Sequence, residues 1–210
     1  LVQETVLRAG IHALGDQLDE RSAAFDDFDS KTDAVWMAEV AHESEKVWVA
    51  KPRIAIFLAA MRHFRDALLE RRWRVFYRAL TAKGAEWSGL PGRGTPGETF
   101  AAQLAWTIAQ TNPEKLIIVE PGEWSVREEI AAVAQSAGVP LEIRSDHHFL
   151  CTGAEFAAHV KGRKQLRMEY FYRDMRRSTG LLMDGEKPAG GRWNFDAENR
   201  KPAADDLFMP

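Results

Sequence analysis

"KLIIVEPGEWSVREEIAAVAQSAG", Lys115 to Gly138, contains a complete strand, turn and helix, and its reading decides the fold. Lys115–Val119 is a short apolar run closed by Pro121 and Gly122, the pattern of a buried strand. Ser125–Ala137 follows with a helical period; Ser125 and Glu128 stand at capping-box spacing, and Gly138 supplies the stop. Short apolar runs at Ile11–Leu14, Ala34–Ala38, Arg74–Ala79 and Leu141–Ile143 read as further strands. Helices separate most of them. Pro52 to Trp73 opens on a proline suited to a first turn and keeps one apolar face of Ile54, Phe57, Leu58, Met61, Phe64 and Leu68; Glu98–Gln110 is a second helix. This alternation predicts an α/β fold, a Rossmann-like doubly wound parallel sheet with helices on both faces.

The chain has 210 residues, enough for one large domain or a domain with an appendage, and its 45% hydrophobic content supports a sizeable core. A net charge of −3 does not announce nucleic-acid binding, so any basic patch is local. Cys151 is the single cysteine, which excludes a disulfide framework and any multi-thiolate metal site built within one chain, and favours a reducing, cytoplasmic setting. The longest apolar run, Ile54–Met61, is too short to span a bilayer, and no signal-peptide pattern opens the chain, so no membrane association is expected. The missing initiator Met and abrupt finish are read as an excised fragment or a truncated product.

After Ile143 the texture changes. "GAEFAAHVKGRKQLRMEYFYRDMRR" reads by period as a helical extension over residues 151–182, with Met168, Phe171, Tyr172 and Met175 on one face. Basic residues dominate between Lys161 and Arg177, and Arg163, Arg167 and Arg177 are expected to project together from the opposite face. They are candidates for contact with nucleic acid or a partner domain, against the ordinary alternative of a solvated helix face. "GGRWNFDAENRKP", Gly190 to Pro202, has neither period and must be held by something other than an apolar stripe of its own.

Among candidate sites, "GRGTPG" (Gly92 to Gly97) spells a dinucleotide fingerprint, but it follows its strand by a dozen residues and contains Pro96, so it reads as a flexible loop. "HHFLC", His147 to Cys151, lacks a second cluster to complete a metal site. "GDQL" (Gly15 to Leu18), "AEVAHE" (Ala38 to Glu43) and "EPGEW" (Glu120 to Trp124) all fall at the carboxyl ends of expected strands, the edge that lines the ligand crevice of an open parallel sheet. Asp16, Glu43, Glu120 and Glu123 there would accept hydrogen bonds from a ligand rich in N–H or hydroxyl groups; capping and turn closure is the plain alternative.

"GDQL", "MAEV", "RIAIFLAAMRHF", "EPGEW", "RSDHHFL" and "GRKQLRMEYFYRDMRRSTGLLMDGEKPAGGRWNFDAENRKP", co-linear over nearly all of the chain after Ala13, resemble the amino-terminal part of the photolyase-related family of iron–sulfur bacterial cryptochromes and (6–4) photolyases. The resemblance implies an α/β antenna domain over residues 1–150, the helical extension over 151–182, and a linker over 183–210 whose anchor is a separate helical domain holding FAD and an iron–sulfur cluster. Complete members repair (6–4) DNA lesions by light-driven electron transfer or act as photoreceptors; without that domain this chain is expected to be inactive as a lyase. The implied antenna pigment is 6,7-dimethyl-8-ribityllumazine, lined by Gly15, Asp16, Ala38 and Glu43, with Lys46 where many members carry Tyr. The implied partners are DNA and the helical domain, whose docking face would favour self-association when bare. The rival readings are an interaction module on a Rossmann-like scaffold that has lost its pigment, and a small-molecule enzyme using the carboxylates of "EPGEW".

Overall fold

Six strands build the sheet of the first unit in a computed structural model that describes residues 9–12, 17–41, 49–81, 84–90 and 97–196. They are β1 (Ala9–His12), β2 (Asp33–Ala38), β3 (Val75–Thr81), β4 (Gly84–Ser88), β5 (Lys115–Val119) and β6 (Leu141–Arg144), in the spatial order β4-β3-β2-β1-β5-β6. Every neighbouring pair is parallel except β3 and β4. The chain divides into two units, Leu1–His148 and Phe149–Pro210.

The apolar runs of the central strands are continuous because both faces of the sheet are covered. On one face Val35, Met37, Val75 and Tyr77 pack against Met61, Phe64 and Leu68 of α1 (Lys51–Glu70). On the other, Ala34, Trp36, Phe76, Leu116 and Ile118 meet Phe100, Leu104 and Ile108 of α2 (Phe100–Thr111) and Ile130 and Ala134 of α3 (Trp124–Ala137). The result is an α/β unit with helices on both faces of a mostly parallel sheet.

Several local expectations change. The α3 N-cap is Glu123, so Ser125 lies inside the first turn with its hydroxyl 3.4 Å from Glu123 Oε2, and the Ser125–Glu128 capping box does not form. Gly138 closes the helix in the left-handed region as expected. On α1, Phe57 does not join the apolar face but is 45% exposed; the helix buries its stripe only from Met61 onward. The antiparallel edge strand β4 occupies what reads in sequence as loop, because only Trp87 of its described side chains packs inward while Glu86 and Ser88 face out. The strand ends at Gly89, with φ +84°, where an added Cβ would lie 2.3 Å from the Val75 carbonyl oxygen.

A buried side-chain hydrogen bond crosses the α2 contact: Trp36 Nε1 donates to Thr107 Oγ1 at 2.8 Å, and Thr107 donates in turn to the Gln103 carbonyl at 2.9 Å. Thr107→Val keeps the shape but removes the acceptor from a buried indole N–H, which should cost about 1–3 kcal/mol. Chemical denaturation measures this; an unchanged midpoint would show that the indole N–H finds another acceptor.

In the second unit, α4 (Gly153–Val160) and α5 (Met168–Thr179) replace the single helix expected from the period. Thr152 and Glu155 form a full capping box, whose hydrogen bonds hold the exposed Glu155 carboxyl below its ordinary value. The helix breaks where Lys161 takes an extended ψ and Gly162 enters the left-handed region at φ +77°. Phe156 and His159 of α4 meet the edge or face of Phe171 on α5 at 5.2 and 5.1 Å, and His159 Nδ1 lies 2.9 Å from Asp174 Oδ2.

Beyond α5, β7 (Met183–Asp184) and β8 (Lys187–Pro188) make a short antiparallel hairpin. Arg176, 6% exposed, donates from Nη2 to the Leu182 carbonyl and ties the helix to this segment. The Trp193 ring then lies against Arg173, Arg176 and Arg177, with guanidinium carbons 5.5, 5.3 and 4.8 Å from its centroid. Within the aperiodic stretch, Trp193 is thus held against arginines of α5. Residues 197–210 lie outside the described residues.

Candidate functional site at the carboxyl edge of the sheet

Parallel pairing places the carboxyl ends of β1, β2, β3, β5 and β6 along one edge. The strand order reverses at β1, with β2 and β3 on one side and β5 and β6 on the other, and such a reversal opens a crevice beyond the strand ends. At this edge Gln17, after β1, donates from Nε2 to the carbonyl of Glu120, after β5, at 2.8 Å. The acids of "EPGEW" lie at this edge as the sequence places them, each with a neighbour on α3. Glu120 pairs with Arg127 Nε at 3.3 Å, and Glu123 occupies the N-cap of α3 beside the Ser125 hydroxyl. Trp124, 68% exposed, has the Arg127 guanidinium 5.5 Å from its ring centroid.

Of the five residues expected at a pigment site, Gly15, Asp16, Glu43 and Lys46 lie outside the described residues. Ala38 is the last residue of β2, half-buried and in register with Arg78 of β3. Arg78 is itself almost fully buried at 8% exposure; Nη1 donates to the Glu39 carbonyl at 2.9 Å, and Nε has no partner among the described residues. Burial lowers the pKa of this guanidinium, with partial relief from Glu98 and Glu39. A buried cation with donor capacity left over thus lies beside Ala38.

Glu39, one residue further, is the most heavily bonded acid among the described residues of the first unit. Its side chain is fully buried and accepts from Arg62 Nε at 2.7 Å, Arg62 Nη2 at 2.8 Å, Tyr77 Oη at 2.6 Å and the Leu80 N–H at 2.7 Å. Burial alone would raise the carboxyl pKa; hydrogen bonds from Arg62, Tyr77 and Leu80 outweigh it and hold the group below its ordinary value. The same burial and the bond to Glu39 raise the Tyr77 phenol. Arg62 Nη2 also reaches the Leu80 carbonyl at 2.9 Å, so α1, β2 and β3 meet at one carboxylate. No local pattern marks Glu39, since its partners are distant in sequence.

The basic residues of the second unit do not form one free face. Arg163, in the link between α4 and α5, donates to the His159 carbonyl at 2.6 Å and lies 3.4 Å from Asp174, while Arg177 lies 3.2 Å from the same carboxylate. Arg167 is the N-cap residue of α5, bonded to Gln165 at 3.2 Å. Asp174 is thus the hub that gathers His159, Arg163 and Arg177, and the helix break places Arg167 apart from it. Among the described residues no three His, Cys, Asp or Glu side chains converge as a metal site, and no helix is long and apolar enough to cross a membrane.

The model of the family described as deoxyribodipyrimidine photo-lyase-related protein matches residues 11–210. The chain belongs to this family. It is 44% identical over 197 residues to a (6-4) photolyase of Agrobacterium fabrum, an alignment that covers 94% of this chain and 37% of that protein. It is also 23% identical over 155 residues to an uncharacterized protein of Acanthamoeba polyphaga mimivirus, covering 72% of this chain and 71% of the viral protein. This member of the photolyase-related family therefore spans little more than a third of the length of its Agrobacterium relative.

Proposed function

We propose that the Leu1–His148 unit is a Rossmann-like, doubly wound antenna domain that binds 6,7-dimethyl-8-ribityllumazine at the carboxyl edge of its sheet. The proposal extends to a parent protein in which a helical domain carries FAD and an iron–sulfur cluster and acts on DNA, in keeping with the relative named a (6-4) photolyase. The observation that carries the reading is the strand-order reversal at β1, with Gln17 bonded to the Glu120 carbonyl at that edge. The donor chemistry supports the pigment: Arg78, whose Nε has no partner among the described residues, pairs in register with Ala38, and a pteridine-like ring offers carbonyl oxygens to such a donor while its ribityl hydroxyls suit acceptors such as Asp16 and Glu43. A four-thiolate cluster does not fit this chain, whose one cysteine is Cys151.

Titration of the 210-residue chain with the lumazine tests the reading. Saturable growth of pigment fluorescence anisotropy is expected, and Glu43→Gln should weaken binding by about 1–3 kcal/mol if its carboxylate accepts a buried ligand hydrogen bond. Unchanged affinity would remove Glu43 from the site. Absence of saturable binding to the wild-type chain would overturn the antenna reading.

A further inference from the structure

We infer that the second unit carries its own binding cleft for a flat aromatic anion, recognised by Arg176 between the walls of α5 and the Trp193 segment. This site lies wholly within residues 168–196 and does not rest on the pigment reading. The cleft has a volume of about 650 Å³, within the range of small-molecule sites. Its walls are Met168, Phe171, Tyr172 and Met175 of α5, faced by Trp193 and Phe195. Arg176 also lines it.

Three features distinguish this cleft from a bare apolar groove. Arg176 is 6% exposed, so its charge is held out of water, yet among the described residues no carboxylate pairs with it; Nη2 donates to the Leu182 carbonyl, and the buried Nε has no partner among the described residues. A desolvated guanidinium with an unused donor favours an anionic or strongly polar acceptor entering the cleft. Two acids line the cleft, Glu169, which pairs with Arg173, and Asp196; the nearby Asp174 is engaged by Arg163, Arg177 and His159. Finally, Trp193 is held against three guanidiniums and Tyr172 has Arg176 5.5 Å from its ring, so the aromatic walls are positioned before any ligand arrives. Two aromatic walls with a cation between them suit a planar ring bearing a sulfonate, carboxylate or phosphate.

The test uses two probes of similar shape and different charge, 8-anilinonaphthalene-1-sulfonate and the neutral N-phenyl-1-naphthylamine, titrated into the full chain while the Trp193 indole N–H resonance, assigned from Trp193→Phe, is followed. The anion should bind the wild type more tightly than the amine and shift that resonance. Arg176→Met should weaken the anion by about tenfold and the amine by much less, the ratio expected from loss of one charge-assisted contact. Because Arg176 also ties the hairpin, a second variant leaves it in place: Met175→Trp fills the cleft and should abolish binding of both probes there. A Trp193 resonance indifferent to the anion, an equal response of both probes to Arg176→Met, or undiminished anion binding to Met175→Trp would each overturn the inference.

Discussion

Glu39→Leu is expected to destabilise the first unit by about 3 kcal/mol, measured by urea denaturation at neutral pH. The substitution removes an acceptor that four hydrogen bonds share, leaving the buried Tyr77 hydroxyl and the Leu80 N–H without it. Arg62 would suffer less than a fully buried partner, because its side chain is 43% exposed and can turn to water; the figure is therefore set at the low end for breaking a buried ion pair. The pH dependence has a definite sign. The folded-state carboxyl lies below its ordinary value of 4.5, so the stabilisation it contributes is fully present above that value and is lost as pH falls through the folded one. Wild type and Glu39→Leu should therefore differ most near neutrality and converge on acidification. A difference that stayed constant down to the acid-unfolding limb would show that packing, and not the charge network, accounts for the loss. Tyr77→Phe, alone and combined with Glu39→Leu, isolates the phenol's share.

Trp36→Ala should be at least as damaging, at about 3–5 kcal/mol. Trp36 is 3% exposed in the middle of β2, with Phe100 edge-on at 5.7 Å and Trp87 at 6.4 Å. Truncation opens a cavity bounded by the sheet and α2, and neither side closes readily because the strand is held by neighbours on both edges. Thr107 keeps its bond to the Gln103 carbonyl, so the loss is one of volume and not of an orphaned hydroxyl. Thermal or urea unfolding followed by far-ultraviolet circular dichroism would measure it, and a loss below about 1 kcal/mol would mean that Trp87 moves in to fill the space.

The parts of this fold that are legible in the sequence are those whose signal is local. Lys115–Val119 and the helix stopped by Gly138 announce themselves within one window, and so do the proline at the head of α1 and the core residues Met61, Phe64 and Leu68. What escapes depends on partners elsewhere. The break between α4 and α5 falls in the polar run Lys161–Gln165, which reads equally well as the solvated face of one helix; the left-handed φ of Gly162 ends the helix there. Strand β4 is masked by Gly84, Glu86 and Ser88, which suit an edge better than a core. Glu39 looks like one more acid at a strand end, and only the fold brings Arg62 and Tyr77 to it. Trp193 is conspicuous in an aperiodic stretch, but the three arginines that hold it belong to a helix whose own period displays a different face.

The position of β1 has a consequence for how the protein is made. The earliest strand among the described residues lies inside the sheet, paired with β2 on one side and with β5, residues 115–119, on the other. At translation speeds of about 5–20 residues per second, roughly 5–20 s separate the synthesis of β1 from that of its second neighbour. For that interval the nascent chain presents the backbone edge of β1, Ala9–His12, without the parallel strand that later pairs with it, a surface for holding chaperones or for illicit pairing between chains on one polysome.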